Sequence, residues 1–452
     1  MLISLLLTTG AAQAAELELH GHYRARGLLY DNLSLSNVNP NALDRTSYID
    51  HRFRLQPGIH VSSKVSVYAQ LDFLPLQTWG DSINTYVDPV TGEAIAMAWA
   101  DGVQPSADAD DGSSYLRNLS LTRVYADVYT PAGRLRFGRM PLDWGTGMWL
   151  NDGNDVLQEY GDTGDRLEFT SRVGPVYVMG AYELMYEGML ERFDEAEDGM
   201  HALDLAVAWQ TETMAVGLYN RYRFNLNPGF HAYTGDLFAK IELGPAELQA
   251  EVNGVFGRGD LDTGVNDISI IAVGAVLDAN VAIDKIYGGV QAGLATGDTD
   301  PTDSVLRTYT FDRDHNVALM MFEEPMPILA PGVVNEANGG RDFDAVRTGD
   351  GLSNALYARP MVGYQLRPDL SADIAGVFAR ALQVPDEQAD VRGYGMEYDL
   401  SVTYSPFEHF SAKGTGGVFV PGPYYSGYEH ETLGGDFDKT TFGGRLLLTA
   451  EF

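Results

Sequence analysis

Arginines recur at every second position in several segments of the first half of the chain. Residues 20–26 alternate histidine and arginine with small or apolar residues, and residues 52–54 and 134–136 repeat the spacing. The chain has 25 arginines and only 5 lysines, and the planar guanidinium binds carboxylates or phosphates through two parallel hydrogen bonds. A ladder of such groups suits conduction of an anionic or polyhydroxylated solute. The alternative is that the arginines pair with carboxylates such as Glu18 and Glu168 and only stiffen a polar wall.

Successive side chains of a β-strand point to opposite faces, so the polar residues of each segment share one surface. We predict that this surface lines an aqueous lumen. His20 and His22 with Glu18 could alternatively ligate zinc, but hydrated side chains are the preferred interpretation and no metal site is predicted. The predicted lining residues are Glu18, His20, His22, Arg24, Arg26, Asp50, Arg52, Arg54, Asp72, Arg123, Arg134, Arg136, Arg166, Glu168, Arg172, Arg221 and Arg223.

The two-residue periodicity continues along the whole chain, which is typical of a transmembrane β-barrel. Short breaks such as Gly174-Pro175 alternate with long ones, as periplasmic turns alternate with external loops. The sequence therefore predicts an all-β fold, an antiparallel up-and-down barrel of about 18 strands, with about 16 as the alternative. The predicted strands are residues 16–29, 47–61, 65–77, 117–129, 134–141, 165–173, 176–187, 200–210, 213–224, 232–243, 246–257, 266–278, 281–296, 353–366, 370–381, 392–405, 409–420 and 439–452.

Two predicted strands, 117–129 and 266–278, alternate poorly. We expect a β-bulge in them, or an inserted loop packed against them. A short turn is expected at Ala279-Asn280. The apolar residues that fall on the predicted lumen face are Leu119, Leu121, Ile271 and Val273.

Composition and the N-terminal segment define the class of protein. Residues 1–14 have an apolar centre and end in a small-x-small pattern, so we predict a signal peptide, followed by one barrel domain over residues 15–452. The longest apolar run, Ile268–Leu277, is too short for a membrane-spanning helix. The net charge of −33 argues against nucleic acid as a partner, and the absence of cysteine excludes disulfides and thiolate metal sites. These features predict the outer membrane of a Gram-negative bacterium.

The longest predicted external loops are residues 78–116 and 297–352, where function beyond diffusion could reside, and the second is a candidate for a lid or plug. Acidic clusters at 260–264 and 297–303 carry oxygen ligands spaced for calcium, although hydrated loop surface is the commoner interpretation. No other cofactor is predicted.

The C-terminal segment alternates apolar and polar residues and ends on Phe452. It resembles the C-terminal signal by which the barrel-assembly machinery recognises outer-membrane proteins. The resemblance implies this machinery as a partner, and the barrel exterior implies outer-membrane lipids and lipopolysaccharide.

Residues 134–152 form an alternating strand that reaches Gly138-Arg139 and then break at Pro141 into an aromatic, acidic loop that runs to Gly164. Such a loop can fold inward and narrow a pore, and its Trp and Asp side chains suit sugar binding. Together with 124–129 and 165–169, this region resembles alginate-export-type outer-membrane porins. The resemblance implies an 18-stranded barrel with an arginine-rich constriction for an anionic polysaccharide. On this resemblance, the residues near the constriction are Arg136, Arg139, Asp143, Trp144 and Arg166.

We therefore predict a porin, a passive outer-membrane channel for hydrophilic solutes or oligosaccharides, with selectivity for anions or saccharides. The alternative is a non-conducting surface or structural barrel whose long loops bind a partner. An enzyme is not predicted, because no nucleophile motif such as Gly-x-Ser-x-Gly is present.

Overall fold

The computed structural model describes residues 15–33, 35, 45–79, 85–87, 94–96, 119–186, 199–225, 229–261, 265–298, 303–324, 334–335, 340–341, 351–384, 391–426 and 437–452. Within them, eighteen antiparallel strands form one closed barrel. The strands are β1 (Glu16–Asp31), β2 (Arg45–Ser62), β3 (Val65–Thr78), β4 (Leu119–Thr130), β5 (Gly133–Pro141), β6 (Thr163–Val173), β7 (Val176–Tyr186), β8 (Met200–Gln210), β9 (Met214–Asn225), β10 (His231–Leu243), β11 (Ala246–Leu261), β12 (Val265–Ile283), β13 (Ile286–Ala295), β14 (Ala355–Arg367), β15 (Leu370–Ala381), β16 (Gly393–Phe407), β17 (Phe410–Pro421) and β18 (Thr441–Glu451). The predicted signal peptide, residues 1–14, lies outside the described residues.

The barrel closes between its first and last strands. Each strand pairs with its neighbour in sequence, and β1 also pairs with β18, with Tyr23 opposite Ala450. Gly21 and Phe452 exchange two backbone hydrogen bonds of 3.1 Å. At the other end of this seam, the Thr441 hydroxyl donates to the Asn32 carbonyl at 2.8 Å. The short turns gather at one end of the barrel, the turn end, and the long connections at the other, the loop end.

Strict alternation gives the barrel an apolar exterior. Along β8, Leu203, Leu205 and Val207 are exposed, whereas Asp204 and Ala206 between them are buried in the interior. No helix among the described residues is long and apolar enough to cross a membrane. A closed barrel leaves no strand edge unpaired, and its apolar exterior matches the hydrocarbon of a bilayer. The structure thus confirms the predicted transmembrane barrel and its place in the outer membrane.

The outer surface also carries paired tyrosine and histidine side chains on adjacent strands. In each pair the phenol oxygen lies within 3.3 Å of the imidazole Nδ1. Amphipathic rings of this kind are common where a barrel meets the polar part of a membrane. The pairs are Tyr23 with His51, Tyr182 with His201, and Tyr222 with His231.

All eighteen predicted strands are present, and the differences are local. The turn expected at Ala279-Asn280 is wrong: β12 continues to Ile283 and the chain reverses at Asp284-Lys285. Asn280 simply continues the alternation of β12 opposite Glu247 on β11.

The two poorly alternating strands have different explanations. In β4, Thr122 is passed over in the pairing with β3, so the side-chain direction reverses there and both Leu119 and Leu121 face the membrane. In β12 the alternation is regular, but Ile271 faces outward and Ala272 inward. The interior face of β12 is apolar because an inserted loop packs against it.

Two loop segments lie inside the barrel. Residues 142–162, between β5 and β6, are the constriction loop, and residues 303–324, between β13 and β14, are the lumen loop. The lumen loop packs its apolar residues, such as Phe311 and Met320, against small or apolar interior residues such as Ala272 and Phe419. The principal apolar core therefore lies inside the barrel, between its wall and the lumen loop.

Candidate functional site

One side of the constriction loop is fixed to β10 and β11. The Trp144 indole donates to Asp236 at 2.7 Å, and the Thr146 backbone and hydroxyl both donate to Glu251 at 2.5 and 2.6 Å. Gly217 of β9 faces the Trp144 ring, and a Cβ there would lie 2.6 Å from it. The lack of a side chain at this position thus allows the indole to reach the wall.

The other side of the loop is held by four arginines of β1, β2 and β4. Arg24 donates to the Val156 carbonyl at 2.7 Å and Arg52 to the Gln158 carbonyl at 2.6 Å. Arg54 and Arg123 bind the carbonyls of Gly153 and Asp152 in the same way. An irregular loop inside a barrel has carbonyl groups that need donors, and these guanidinium groups supply them. The predicted ladder exists, but these members hold the loop in place.

The Glu159 carboxylate completes this contact. It lies 2.7 Å from Arg24, 3.0 Å from Arg26 and 3.7 Å from Arg52. Burial alone would raise its pKa, but the three guanidinium groups outweigh burial and hold the pKa near 2. Glu159 therefore remains ionised across the physiological range.

Many interior arginines, including one that also binds the loop, form ion pairs within the wall. Arg54 binds Asp72 through two hydrogen bonds of 2.7 and 2.8 Å. For these residues the alternative interpretation, a stiffened polar wall, describes the structure. The further pairs are Arg26 with Asp50, Arg134 with Glu168, Arg136 with Asp127, Arg166 with Asp204, and Arg221 with Asp204 and Glu183.

The lumen loop is anchored by carboxylates. The Glu397 carboxylate of β16 accepts the backbone N–H groups of Leu319, Met320 and Met321 at 2.7–3.0 Å. Asp314 joins the lumen loop to the constriction loop by accepting the backbone N–H groups of residues 159–161 at 2.7–2.8 Å. The two loops therefore form one connected internal structure.

Three basic residues of β14, β17 and β18 differ from the predicted ladder. Arg359 of β14, Lys413 of β17 and Arg445 of β18 are half-buried and point inward. Among the described residues, none of the three forms an ion pair. The charges that act electrostatically on Lys413 are the carboxylates of Asp373 and of Asp155 in the constriction loop, which attract it, and the guanidinium groups of Arg445 and Arg359, which repel it. Sequence reasoning missed these residues, although each stands at an inward position of an alternating strand.

The predicted lining residues fall into clear groups. All seventeen residues predicted from alternation face the interior, with Glu18, His20 and Arg172 near the turn end. Arg223 faces inward beside the Arg221 cluster and forms no ion pair among the described residues. Asp143 and Trp144 belong to the constriction loop, and the Trp144 ring packs edge-on against Tyr219.

The prediction for Arg139 is wrong. Alternation in β5 turns Arg134 and Arg136 inward and Arg139 outward, where it binds Asp165 across the exterior surface. In the cluster at 297–303, Asp298 and Asp303 both bind Arg307, at 3.3 and 2.9 Å. Residues 262–264 and 299–302 lie outside the described part of the chain, so calcium binding at either cluster stays a prediction.

A closed barrel of eighteen strands, with an apolar exterior and a polar interior narrowed by loops, has the architecture of an outer-membrane channel.

A scan against family models and a search of curated proteins give no match. Among solved structures, the chain is similar to OccK9 (OpdG) of Pseudomonas aeruginosa, with 13% identity, 97% of this chain and 99% of that chain covered, and a TM-score of 0.54. It is also similar to a BenF-like porin of Pseudomonas fluorescens Pf-5, with 12% identity, 98% and 100% covered, and a TM-score of 0.53. A third is OccK2 (OpdF) of Pseudomonas aeruginosa in complex with glucuronate, with 10% identity, 98% and 99% covered, and a TM-score of 0.51. At these identities, the similarity shows the fold.

Proposed function

We propose that this protein is a porin, a passive outer-membrane channel that favours small organic anions, carboxylates above all. The observation that carries the proposal is a group of three inward cations on β14, β17 and β18 that form no ion pair with the described residues, namely Arg359, Lys413 and Arg445. A cation already paired with a carboxylate contributes little net field, whereas an unpaired cation in a narrow lumen attracts anions and raises their local concentration.

The solved structures with the same fold support this direction. One of them is a BenF-like porin, and another, OccK2 (OpdF), is in complex with a sugar acid, glucuronate. A sugar acid combines a carboxylate with hydroxyl groups, so it suits both the unpaired cations and the polar lumen. The resemblance to alginate-export-type porins points to the same chemistry, since alginate is a polymer of sugar acids, and membership of that family stays a prediction.

Ion selectivity in planar bilayers tests the proposal. Under a potassium chloride gradient, we expect the wild-type channel to show a reversal potential that indicates anion preference. The triple variant R359Q/K413Q/R445Q should shift the reversal potential toward cations. The matched control is R139Q, which removes a cation from the exterior and should leave selectivity unchanged. A wild-type channel without anion preference, or a triple variant that retains it, refutes the proposal.

The same measurement addresses the alternative function. A non-conducting surface barrel would give a sealed bilayer with the purified protein. Interactions with lipopolysaccharide and with the barrel-assembly machinery also belong to this proposal. The position of Phe452 supports the second, because its ring is exposed at the turn end and packs 5.9 Å from Phe53.

A further inference from the structure

A cavity of about 160 Å³ lies between the constriction loop and the turn end of the barrel. We refer to it as the lower cavity. It is separate from the three unpaired cations, since none of them is among the residues that line it. The residues that define it are Glu18, His20, Gln56, Gly58, Tyr68, Gln70, Arg123, Tyr125 and Asn154.

One wall of the lower cavity is aromatic. Tyr68 and Tyr125 are directly opposite each other on β3 and β4, and their rings stack with centroids 5.2 Å apart. The Arg136 guanidinium lies 4.6 Å from the centroid of the Tyr125 ring and fixes it from one side. Gly58 leaves room for Tyr68, because a Cβ at this position would lie 3.2 Å from the ring. The sequence thus builds a rigid aromatic surface inside an otherwise polar lumen.

The roof of the cavity, next to the constriction loop, is rich in hydrogen-bonding groups, which stand two positions along the same strands from Gly58, Tyr68 and Tyr125. The Gln56 amide donates to Gln70 at 2.9 Å and to the Asn154 side chain at 3.0 Å, and Arg123 donates to the same Asn154 oxygen at 2.9 Å. Arg123 is 4% exposed, and its Nε has no hydrogen-bond partner. The terminal nitrogens of Arg123 bind Asn154 and the Asp152 carbonyl, so this guanidinium holds the constriction loop at this end of the cavity.

The mouth of the lower cavity is lined by a carboxylate between two imidazoles. The Glu18 carboxylate lies 2.7 Å from His20 and 3.0 Å from His60. It is half exposed, and a carboxylate can accept further hydrogen bonds from ligand hydroxyl groups. Acceptors at the mouth and donors at the roof thus flank the aromatic wall.

We propose that the lower cavity binds a single sugar ring. A sugar ring has an apolar face of C–H groups that packs on aromatic rings, and an edge of hydroxyl groups that both donate and accept hydrogen bonds. The cavity offers a matching aromatic wall and polar edge, in a volume that suits one ring rather than a chain of them. Resting on the proposed channel function, this inference makes the preferred solute a sugar acid: the unpaired cations attract its carboxylate into the lumen, and its ring binds at a second, separate position, the lower cavity.

Saturation-transfer NMR on the purified barrel in detergent tests this inference without conduction. The probes are D-glucuronate, D-glucose as the neutral ring, and glutarate as a carboxylate without a ring. We expect ring protons of both sugars to receive saturation. Tyr68→Ala should weaken the affinity for both about three- to tenfold, roughly the effect of losing one aromatic contact. Tyr68→Phe should retain the affinity, because the ring remains.

Two further variants make the test specific. Gln56→Leu removes the Gln56 amide oxygen, which can accept a hydrogen bond from a ligand hydroxyl group, without touching the aromatic wall, and it should also weaken sugar binding. Tyr177→Ala is the matched control, because Tyr177 lies under the Arg172 guanidinium at 4.8 Å near the turn end and outside the cavity. It should bind sugars as the wild type does.

The inference fails if glucose and glucuronate receive no saturation, or if Tyr68→Ala and Gln56→Leu bind both as tightly as the wild type. Its failure differs from failure of the proposed function. Anion preference without ring binding refutes only the lower-cavity site, and ring binding without anion preference refutes only the role of the three cations.

Discussion

Asp314 is the residue whose replacement best tests how the constriction is held. Its carboxylate accepts three backbone N–H groups of the constriction loop, from Glu159, Tyr160 and Gly161. Burial raises the pKa of Asp314, while the three donors oppose the rise. In Asp314→Asn the side chain keeps one acceptor oxygen, and its NH₂ group faces at least one backbone N–H.

The cost follows from these contacts. Losing one charge-assisted hydrogen bond and leaving a buried N–H without an acceptor weakens docking by about 3 kcal/mol. This corresponds to a shift of about 100-fold in the equilibrium between docked and undocked loops. We expect single-channel records of Asp314→Asn to show frequent additional conductance levels that the wild type visits rarely. Hydrogen exchange of residues 159–161 should increase in parallel.

The control lies in the same connection between strands. Asp303 is exposed and pairs with Arg307 at the surface, so Asp303→Asn should leave both loop docking and the single-channel current unchanged. Heat-modifiable mobility on gels checks that both variants form the barrel. If Asp314→Asn shows no more additional conductance levels than the wild type, and residues 159–161 keep their protection from hydrogen exchange, the carboxylate does not hold the constriction and our reasoning is wrong.

Three more predictions address other contacts. Gly217→Val should displace the Trp144 indole from the wall, and the tryptophan emission should shift to longer wavelength; an unchanged spectrum would contradict the packing. Burial raises the pKa of Glu323 from 4.5 to about 8, so the packed lumen loop favours the protonated form. Protonated Glu323 stabilises the packed lumen loop fully below about pH 4.5, and this stabilisation is lost as the pH rises through about 8. Current noise should therefore increase over that range in the wild type but much less in Glu323→Gln. Phe452→Ala removes the aromatic contact with Phe53, worth about 1 kcal/mol, and should lower the yield of assembled barrel in the membrane fraction, whereas equal yields would show that the ring is dispensable.

The barrel itself was predictable because its signal is periodic and local. Alternation alone placed eighteen strands and turned Arg24, Arg52 and Arg54 inward. The same rule, applied to β5, also turns Arg139 outward, so that error came from the family resemblance and not from the pattern. The turn at Asp284-Lys285 was missed because Ala279-Asn280 resembles a turn equally well in sequence.

The roles of the interior residues were not predictable in the same way. The binding of Arg24 and Arg52 to loop carbonyls depends on where an irregular segment lies in space, and no periodicity encodes that position. The role proposed for Lys413 rests on its forming no ion pair within the described part of the chain, which only the three-dimensional arrangement reveals. A sequence can indicate which side chains face the lumen, but their partners there are set by the folded loops.

The seam between β1 and β18 has a consequence for biogenesis. Asn32 and Thr441, which meet across it, are 409 positions apart in the chain. β1 is synthesised first, and one of its edges has no partner until β18 is in place. Until then this unpaired edge can pair with a strand of another chain. Closure of the barrel is therefore the last step of its folding. A chain truncated before β18 would expose two unpaired strand edges, those of β1 and β17, and be prone to aggregate in the periplasm.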